Sequence, residues 1–443
     1  MMVVLINFAH FWYMAIKKSK KNLILLIDSP VAAALSTIDA LKKNKEGYRY
    51  MLLYPSNMVG KENLDVIKKF KVAVPCNFNS PDSIIAAILP HRDELLGAYC
   101  RSEVSIPRFQ KVIPHIPYLK TPTSESLEWS VNKYKMRKRF FALDKSITPK
   151  FMLVKDQTKA SLKEIEKKIS FPLVIKPVGL AQSLLVNIVY HRQELEKNLS
   201  QVFRKVKQAY KDSSRSSDPQ VIVEEFIEGN MYSIDGYINS RGKVYHCPIV
   251  QVKTGREIGF DDFFGYQQMT PTNLTKGTVE EAEKVTSKGV RALGLRSTIF
   301  HAELIKNDKG FKIVEIGPRI GGFRADLYEM SYGINHRANA VYITIPKVPK
   351  IKKRVKGHSA AFKFFAKKEG RISNITGMKK AKELKSFKSI TINKKVGDRA
   401  KFAKNGGKSV FNITLFNKDR ANLLADIRRL EQGVKIEVKT GRK

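Results

Sequence analysis

Cysteine is scarce. Cys76, Cys100 and Cys247 are the three in 443 residues, and they stand far apart, with no CxxC pair and no disulfide framework. That usage suits a reducing cytosol, so a cytoplasmic protein is expected. Acid is scarce too: 41 Asp and Glu face 81 Lys and Arg, a net charge of +40. Such an excess attracts nucleic acid or anionic membrane, or it is spread over solvated faces. The basic runs Lys17–Lys21, Lys42–Lys45, Lys133–Arg139, Lys347–Lys356 and Lys379–Lys385 favour the second, because they occur all along the chain. No aromatic-rich RNA-recognition signature accompanies them, and no specific nucleic-acid partner is expected. There is no GxGxxG, hence no case for a dinucleotide. The apolar start, Met1–Ile16, is short for a membrane span and lacks a basic n-region and cleavage site, so residues 1–21 read as an extension without membrane insertion. The histidines are scattered, no catalytic triad or zinc constellation stands out, and there is no internal repeat.

What is present describes a globular chain with two or three cores: 43% of residues are hydrophobic and 28% charged. Asn22–Asp28 is a continuous apolar run, as a buried parallel strand would be. A helix opening at Ser29-Pro30, strands at Tyr48–Tyr54 and Val72–Val74, and a helix from Ser80 continue a βαβ rhythm. A small doubly wound unit is expected over residues 22–115. Phe171–Lys176 is a strand ending in a lysine, either a point charge for phosphate oxygens or a snorkelling side chain on a wet edge. Gln220–Phe226 is another strand. Gln251–Pro271 is loop-like, with three glycines, and predicts a lid in which Lys253 and Arg256 either meet phosphate or a substrate carboxylate or, the favoured reading, are surface charges. Lys347–Lys356 is a basic linker, and beyond it strands at Ser359–Phe365 and Phe411–Phe416 and a helix over Lys418–Glu431 predict a small α+β domain.

The most telling stretch is STIFHAELIKNDKGFKIVEIGPRIGGFR, residues 297–324. Ile299, His301, Glu303 and Ile305 share one strand face, and Phe311, Ile313 and Glu315 share another. Asn307-Asp308-Lys309-Gly310 predicts a hairpin with a three-residue loop, Gly310 taking the positive-φ position of a bulge. Asn307 then faces Phe311, which sets Glu303 opposite Glu315. Two carboxylates paired across a ladder repel. Either they lie on a wet face, or a cation sits between them. Hard cations such as Mg²⁺ choose one or two carboxylates plus phosphate oxygens. The turn after Glu315 places Arg319 one bend away, and arginine clamps carboxylate or phosphate oxygens.

The pattern HAEL…VEIGPRIGG resembles the metal-binding end of the ATP-grasp superfamily, particularly its carboxylate–amine ligases. The likeness spans roughly residues 22–345, with several motifs in order. It implies a fold of α/β and α+β type. A Rossmann-like domain (22–115) would help hold the acceptor, a two-lobed ATP-grasp domain would occupy 116–346, and a C-terminal α+β domain 347–443. It also implies ATP as co-substrate and Mg²⁺ (or Mn²⁺) as cofactor. Glu303 and Glu315 would hold the metal; Gly317 stands where the family carries an asparagine. Lys133, which by periodicity alone lies on a solvated basic helix, matches one ATP lysine, and Lys176 in VIKP matches the second. Ser183, in GLAQSL, occupies the phosphate loop. Glu224, Glu225, Phe226 and Ile227 match the segment that pairs with the adenine edge. Met231 replaces a ribose-binding glutamate. Arg319, with Arg324 behind it, would steady an acyl phosphate.

The implied function is ATP-dependent joining of a small carboxylate to an amine, or to a thiol, through an acyl phosphate. Gly317 and Met231 also suit a regulatory protein that binds nucleotide without turnover, and the charge suits a nucleic-acid-associated protein. Nothing in the sequence predicts or excludes a homo-oligomer.

Overall fold

The computed structural model describes residues 21–439, apart from residues 44–45, 59, 182, 214, 216 and 353. Residues 1–20 of the expected extension lie outside it. Among the described residues no helix is long and apolar enough to cross a membrane.

The first unit is a parallel sheet of β1 (Leu23–Ile27), β2 (Arg49–Pro55), β3 (Val72–Cys76) and β4 (Leu95–Cys100), in the order β3-β2-β1-β4. β1 is buried at every position, because helices cover both of its faces. Ser80 caps the helix Pro81–Ile88 by accepting from the Ser83 N–H, with Pro81 in the first turn where no donor is missed. β4 was not foreseen. Gly97 interrupts its pattern, and the reason is tertiary: a Cβ there would lie 2.6 Å from Ile345 Cγ2, so the strand is bare where the segment after the helix His336–Tyr342 presses on it.

The second unit is an antiparallel sheet of β5 (Phe151–Val154), β6 (Leu173–Pro177), β7 (Asn187–Val189) and β8 (Val221–Glu225), ordered β5-β8-β6-β7. The helix Arg192–Asp212 backs it, burying Leu195, Leu199, Val202, Val206 and Tyr210 along one stripe.

A nine-stranded sheet forms the floor. It contains β9 (Asn230–Ile238), β10 (Val244–His246), β11 (Val250–Thr254), β12 (Gly265–Thr270), β13 (Thr298–Asn307), β14 (Gly310–Gly317) and β15 (His358–Phe364). A small three-stranded sheet beyond it holds β16 (Gly370–Thr376), β18 (Arg399–Ala400) and β20 (Lys435–Lys439). β17 (Phe387–Ile392) and β19 (Phe411–Asn417) complete the large sheet, in the order β14-β13-β9-β11-β12-β15-β19-β17 with β10 beside β9. The ladder therefore runs through residues on both sides of the basic linker, because β12 pairs with β15. The helix Arg420–Gly433 follows β19, close to the expected position.

The expected lid over Gln251–Pro271 is corrected: β11 and β12 are paired strands of the floor, and only residues 255–264 loop out. Glycines at both ends of that short excursion hid two strands whose inward residues, Val250, Val252, Tyr266 and Gln268, are buried.

Candidate active site

β9, β13 and β14 are neighbours, and their register builds two rows of side chains. Asp235, His301 and Gly317 lie side by side; Ser233, Glu303 and Glu315 form the next row. Partners in a ladder share a face, so both rows look into the same cleft. The route to this pairing differs from the expected one. Asn307 pairs with Gly310, so the hairpin loop has two residues, with Gly310 at φ 102°. That slip alone would set Glu303 against Val314. A bulge between the Leu304–Ile313 and Glu303–Glu315 pairs takes up Val314 and restores the match. Arg137 holds the bulge, donating to the carbonyls of Ile313 (3.0 Å) and Val314 (2.7 Å).

The opposed carboxylates each have a basic side chain beside them. Lys133 Nζ lies 3.2 Å from Glu315 Oε2. His301 Nε2 lies 3.3 Å from Glu303 Oε1, and its Nδ1 is 2.6 Å from Asp235 Oδ1. Burial is the largest influence on Glu303 and pushes its carboxyl up, but His301, Arg319 and Arg324 outweigh it and hold the group down to about 2. Burial likewise opposes ionisation of Asp235, which the two histidines His301 and His336 hold well below the usual carboxylate range.

Lys133 stands between the carboxylates and Lys176, which marks the other end of the cleft. Lys133 opens the helix Lys133–Leu143, capped by Asn132, and donates to the Leu180 carbonyl at 2.6 Å. The helix is not a solvated basic face: Met136, Arg137 and Phe140 are buried. Lys176, 6% exposed at the end of β6, lies 2.7 Å from Glu224 Oε2. Arg137 forks the same carboxylate at 2.9 and 3.0 Å. Burial lowers Lys176 to about 8, with Glu224 opposing and Arg137 and Lys133 adding to the shift. Burial pushes Glu224 up, but Arg137 and Lys176 bring it to about 2. The Gly179 N–H donates to Tyr210 Oη (2.7 Å), anchoring the start of the loop that follows β6. Ser183 and Leu185 then take left-handed conformations, φ 60° and 59°, a strain that side chains beyond Gly rarely accept. The Leu185 N–H donates to the Lys404 carbonyl at 3.0 Å.

Between the lobes, the Glu225 N–H donates to Lys150 O (2.9 Å) and the Phe226 N–H to Pro172 O (3.2 Å). Half-buried Ile227 follows outside the strand. Arg256 lies over the Phe226 ring, 5.4 Å from its centroid, and donates to Tyr190 Oη at 2.8 Å; it is not a bare surface charge.

The two arginines differ. Arg319 Nε donates to Glu103 Oε2 (3.1 Å), whose other oxygen takes Arg215 at 3.3 Å, so Arg319 stands at the seam with the first unit. Arg324 is 3% exposed and committed to the wall, donating to Ser233 Oγ (3.0 and 2.6 Å), Gln268 and Gly322 O. Sequence reasoning missed Arg137, Asp235 and Glu103. Asp235 had a signal, a carboxylate inside the apolar run YSIDGYI. Arg137 and Glu103 had none, since their partners lie 87 and 216 residues away.

Known proteins share this architecture. The sequence profile of the ATP-grasp domain matches residues 169–326. A D-alanine–D-alanine ligase of Lacticaseibacillus casei is 27% identical over 152 residues, 33% of this chain and 37% of that protein. An alanine–anticapsin ligase of Bacillus amyloliquefaciens is 26% identical over 213 residues, 45% and 43% of the two chains. The chain spans about half or less of the length of the curated relatives it matches. The crystal structure of an L-amino acid ligase from Bacillus licheniformis superposes with a TM-score of 0.71 at 20% identity, covering 95% of this chain and all of that one.

Proposed function

We propose that this chain, a member of the ATP-grasp superfamily, is an ATP-dependent ligase that joins a small carboxylate to an amine by way of an acyl phosphate. The observation that carries the reading is the row Ser233–Glu303–Glu315 facing Lys133 across one cleft. It is supported by ligases among the relatives, such as the D-alanine–D-alanine ligase and the alanine–anticapsin ligase.

The site's donors fit a divalent cation. Glu303 and Glu315 are cross-strand neighbours, and Glu315 already carries the Lys133 ammonium group in place of a metal. Among the described residues no cluster of three or more His, Cys, Asp or Glu could hold a metal alone. The Glu303–Glu315 pair suits Mg²⁺ or Mn²⁺, which takes one or two carboxylates and completes its shell with phosphate oxygens and water. When bound, the ion supplies neutralisation of charge between the phosphates.

The chain's own residues position and neutralise. Lys176 and Lys133 hold phosphate oxygens, with Lys133 turning from Glu315 to the nucleotide. The strained turn at Ser183 presents N–H groups to the phosphates. The base edge meets the main chain beyond β8, where Ile227 is the remaining candidate and the Phe226–Arg256 pair forms a wall. A substrate carboxylate oxygen attacks the γ-phosphorus, and the bond to the ADP oxygen breaks. Arg319 stabilises the anionic acyl phosphate. The amine then adds at the acyl carbon, phosphate leaves, and the amine proton goes to solvent.

The test is phosphate release from ATP across pairs of amino acids. At least one pair is expected to stimulate release in the native protein, and Glu315→Gln is expected to abolish it with the fold unchanged. Nucleotide binding without release on every pair would sink the ligase reading.

A further inference from the structure

The orientation of Glu303 is imposed from beneath. Its strand neighbour His301 is 4% exposed and reaches it through Nε2 at 3.3 Å. The other ring nitrogen is fixed at 2.6 Å by Asp235, whose side chain is fully buried. Asp235 is itself over-determined. Its second oxygen accepts from the Gly321 N–H (2.8 Å) and meets His336 Nε2 at 3.0 Å, and His336 Nδ1 meets Tyr237 Oη.

The register adds a second observation. His301 lies directly across the ladder from Gly317, which has no side chain to offer the cleft. The backbone is shaped to admit the imidazole: a Cβ on Gly321 would lie 2.4 Å from His301 Nδ1. A bulkier residue at 321 would displace the ring and break the N–H bond to Asp235.

Resting on the reading that Glu303 holds a divalent cation, we infer that Asp235 and His301 are positioning residues that orient Glu303 for that ion. The imidazole occupies the row left open at Gly317. It restrains one carboxylate oxygen and leaves the other for the ion. The Gly321 N–H bond ties Asp235 to the turn that carries Arg319 and Arg324, so metal and acyl ends share one support. Groups that orient metal ligands typically change metal affinity about 10–100-fold when removed.

The test uses Mn²⁺ as the probe, titrated into the full chain in the presence of ADP and followed by electron paramagnetic resonance. ADP affinity is measured separately in EDTA. His301→Ala is expected to weaken Mn²⁺ at least tenfold while metal-free ADP affinity changes less than about twofold. His301→Gln, which keeps a donor near Glu303, is expected to recover most of the loss. Asp235→Asn, similar in shape, is expected to fall between the two and serves where the alanine variant does not fold. Unchanged Mn²⁺ affinity in His301→Ala would overturn the inference and leave the ligase reading standing. Equal losses of Mn²⁺ and ADP affinity in all three variants would reduce the pair to a structural role. Nitrogen hyperfine coupling from His301 in the native spectrum would also overturn it, making His301 a ligand. No Mn²⁺ binding by the native protein would instead remove the metal reading itself.

Discussion

The two ends of the cleft balance their charges in opposite ways. At the lysine end, Lys176, Glu224 and Arg137 are each 6% exposed or less and satisfy one another, leaving one positive charge over. At the carboxylate end, charges from four stretches of chain meet at the surface of a sheet: Glu303 and Glu315, Lys133, Arg319, and Glu103 from the first unit. The first cluster is closed, so it works as built. The second is open to exchange, because a cation arriving at Glu315 must displace Lys133. A buried pair that loses a partner costs far more than a seam contact that can be rehydrated.

This contrast predicts unequal damage. Arg137→Met leaves Glu224 with one cation and strips two carbonyls of their donor. It is expected to cost about 3–5 kcal/mol of stability in denaturant titration, and a loss below about 1 kcal/mol would show the cluster is not closed. Arg319→Met is expected to fold normally and lower kcat about 10²–10³-fold, as loss of a donor to a developing anion does elsewhere. A variant that loses stability but keeps kcat would move Arg319 from chemistry to the domain seam. The smallest effect is on pH. Lys176, lowered to about 8 by burial, loses its proton above that value, so nucleotide affinity is expected to fall as pH rises past 8, by up to about tenfold per unit. Stability moves the other way. The unfolded lysine keeps its proton to about 10.5, so between 8 and 10.5 the unfolded chain binds more protons and stability rises with pH. Isothermal titration and thermal melts across that window should give slopes of opposite sign.

The hairpin shows how sequence reading works and where it ends. The facing of Glu303 and Glu315 was legible, but a three-residue loop was assumed where the chain uses a two-residue turn and a bulge at Val314. The two arrangements agree at Glu303–Glu315 and differ between turn and bulge, where Ile313 pairs with Leu304 and faces away from Glu315 instead of sharing its face, so the Glu303–Glu315 match alone cannot separate them. Only Arg137, arriving from 176 residues away to hold the bulged carbonyls, does so. The same holds for β12, whose glycines suggested a lid until its pairing with β15 placed it in the floor.

What the sequence determined by itself is the set of short alternating strands, the capped helices, and the order in which lysines, glutamates and arginines occur. These follow from side-chain periodicity and turn chemistry within a few residues. What only the tertiary structure decided is which charges meet. Glu224 became the partner of two buried cations, Arg324 part of the wall, and Glu103 a companion to Arg319. An ionised group inside a protein must find an opposite charge wherever the fold brings one, and spacing along the chain carries no record of that distance.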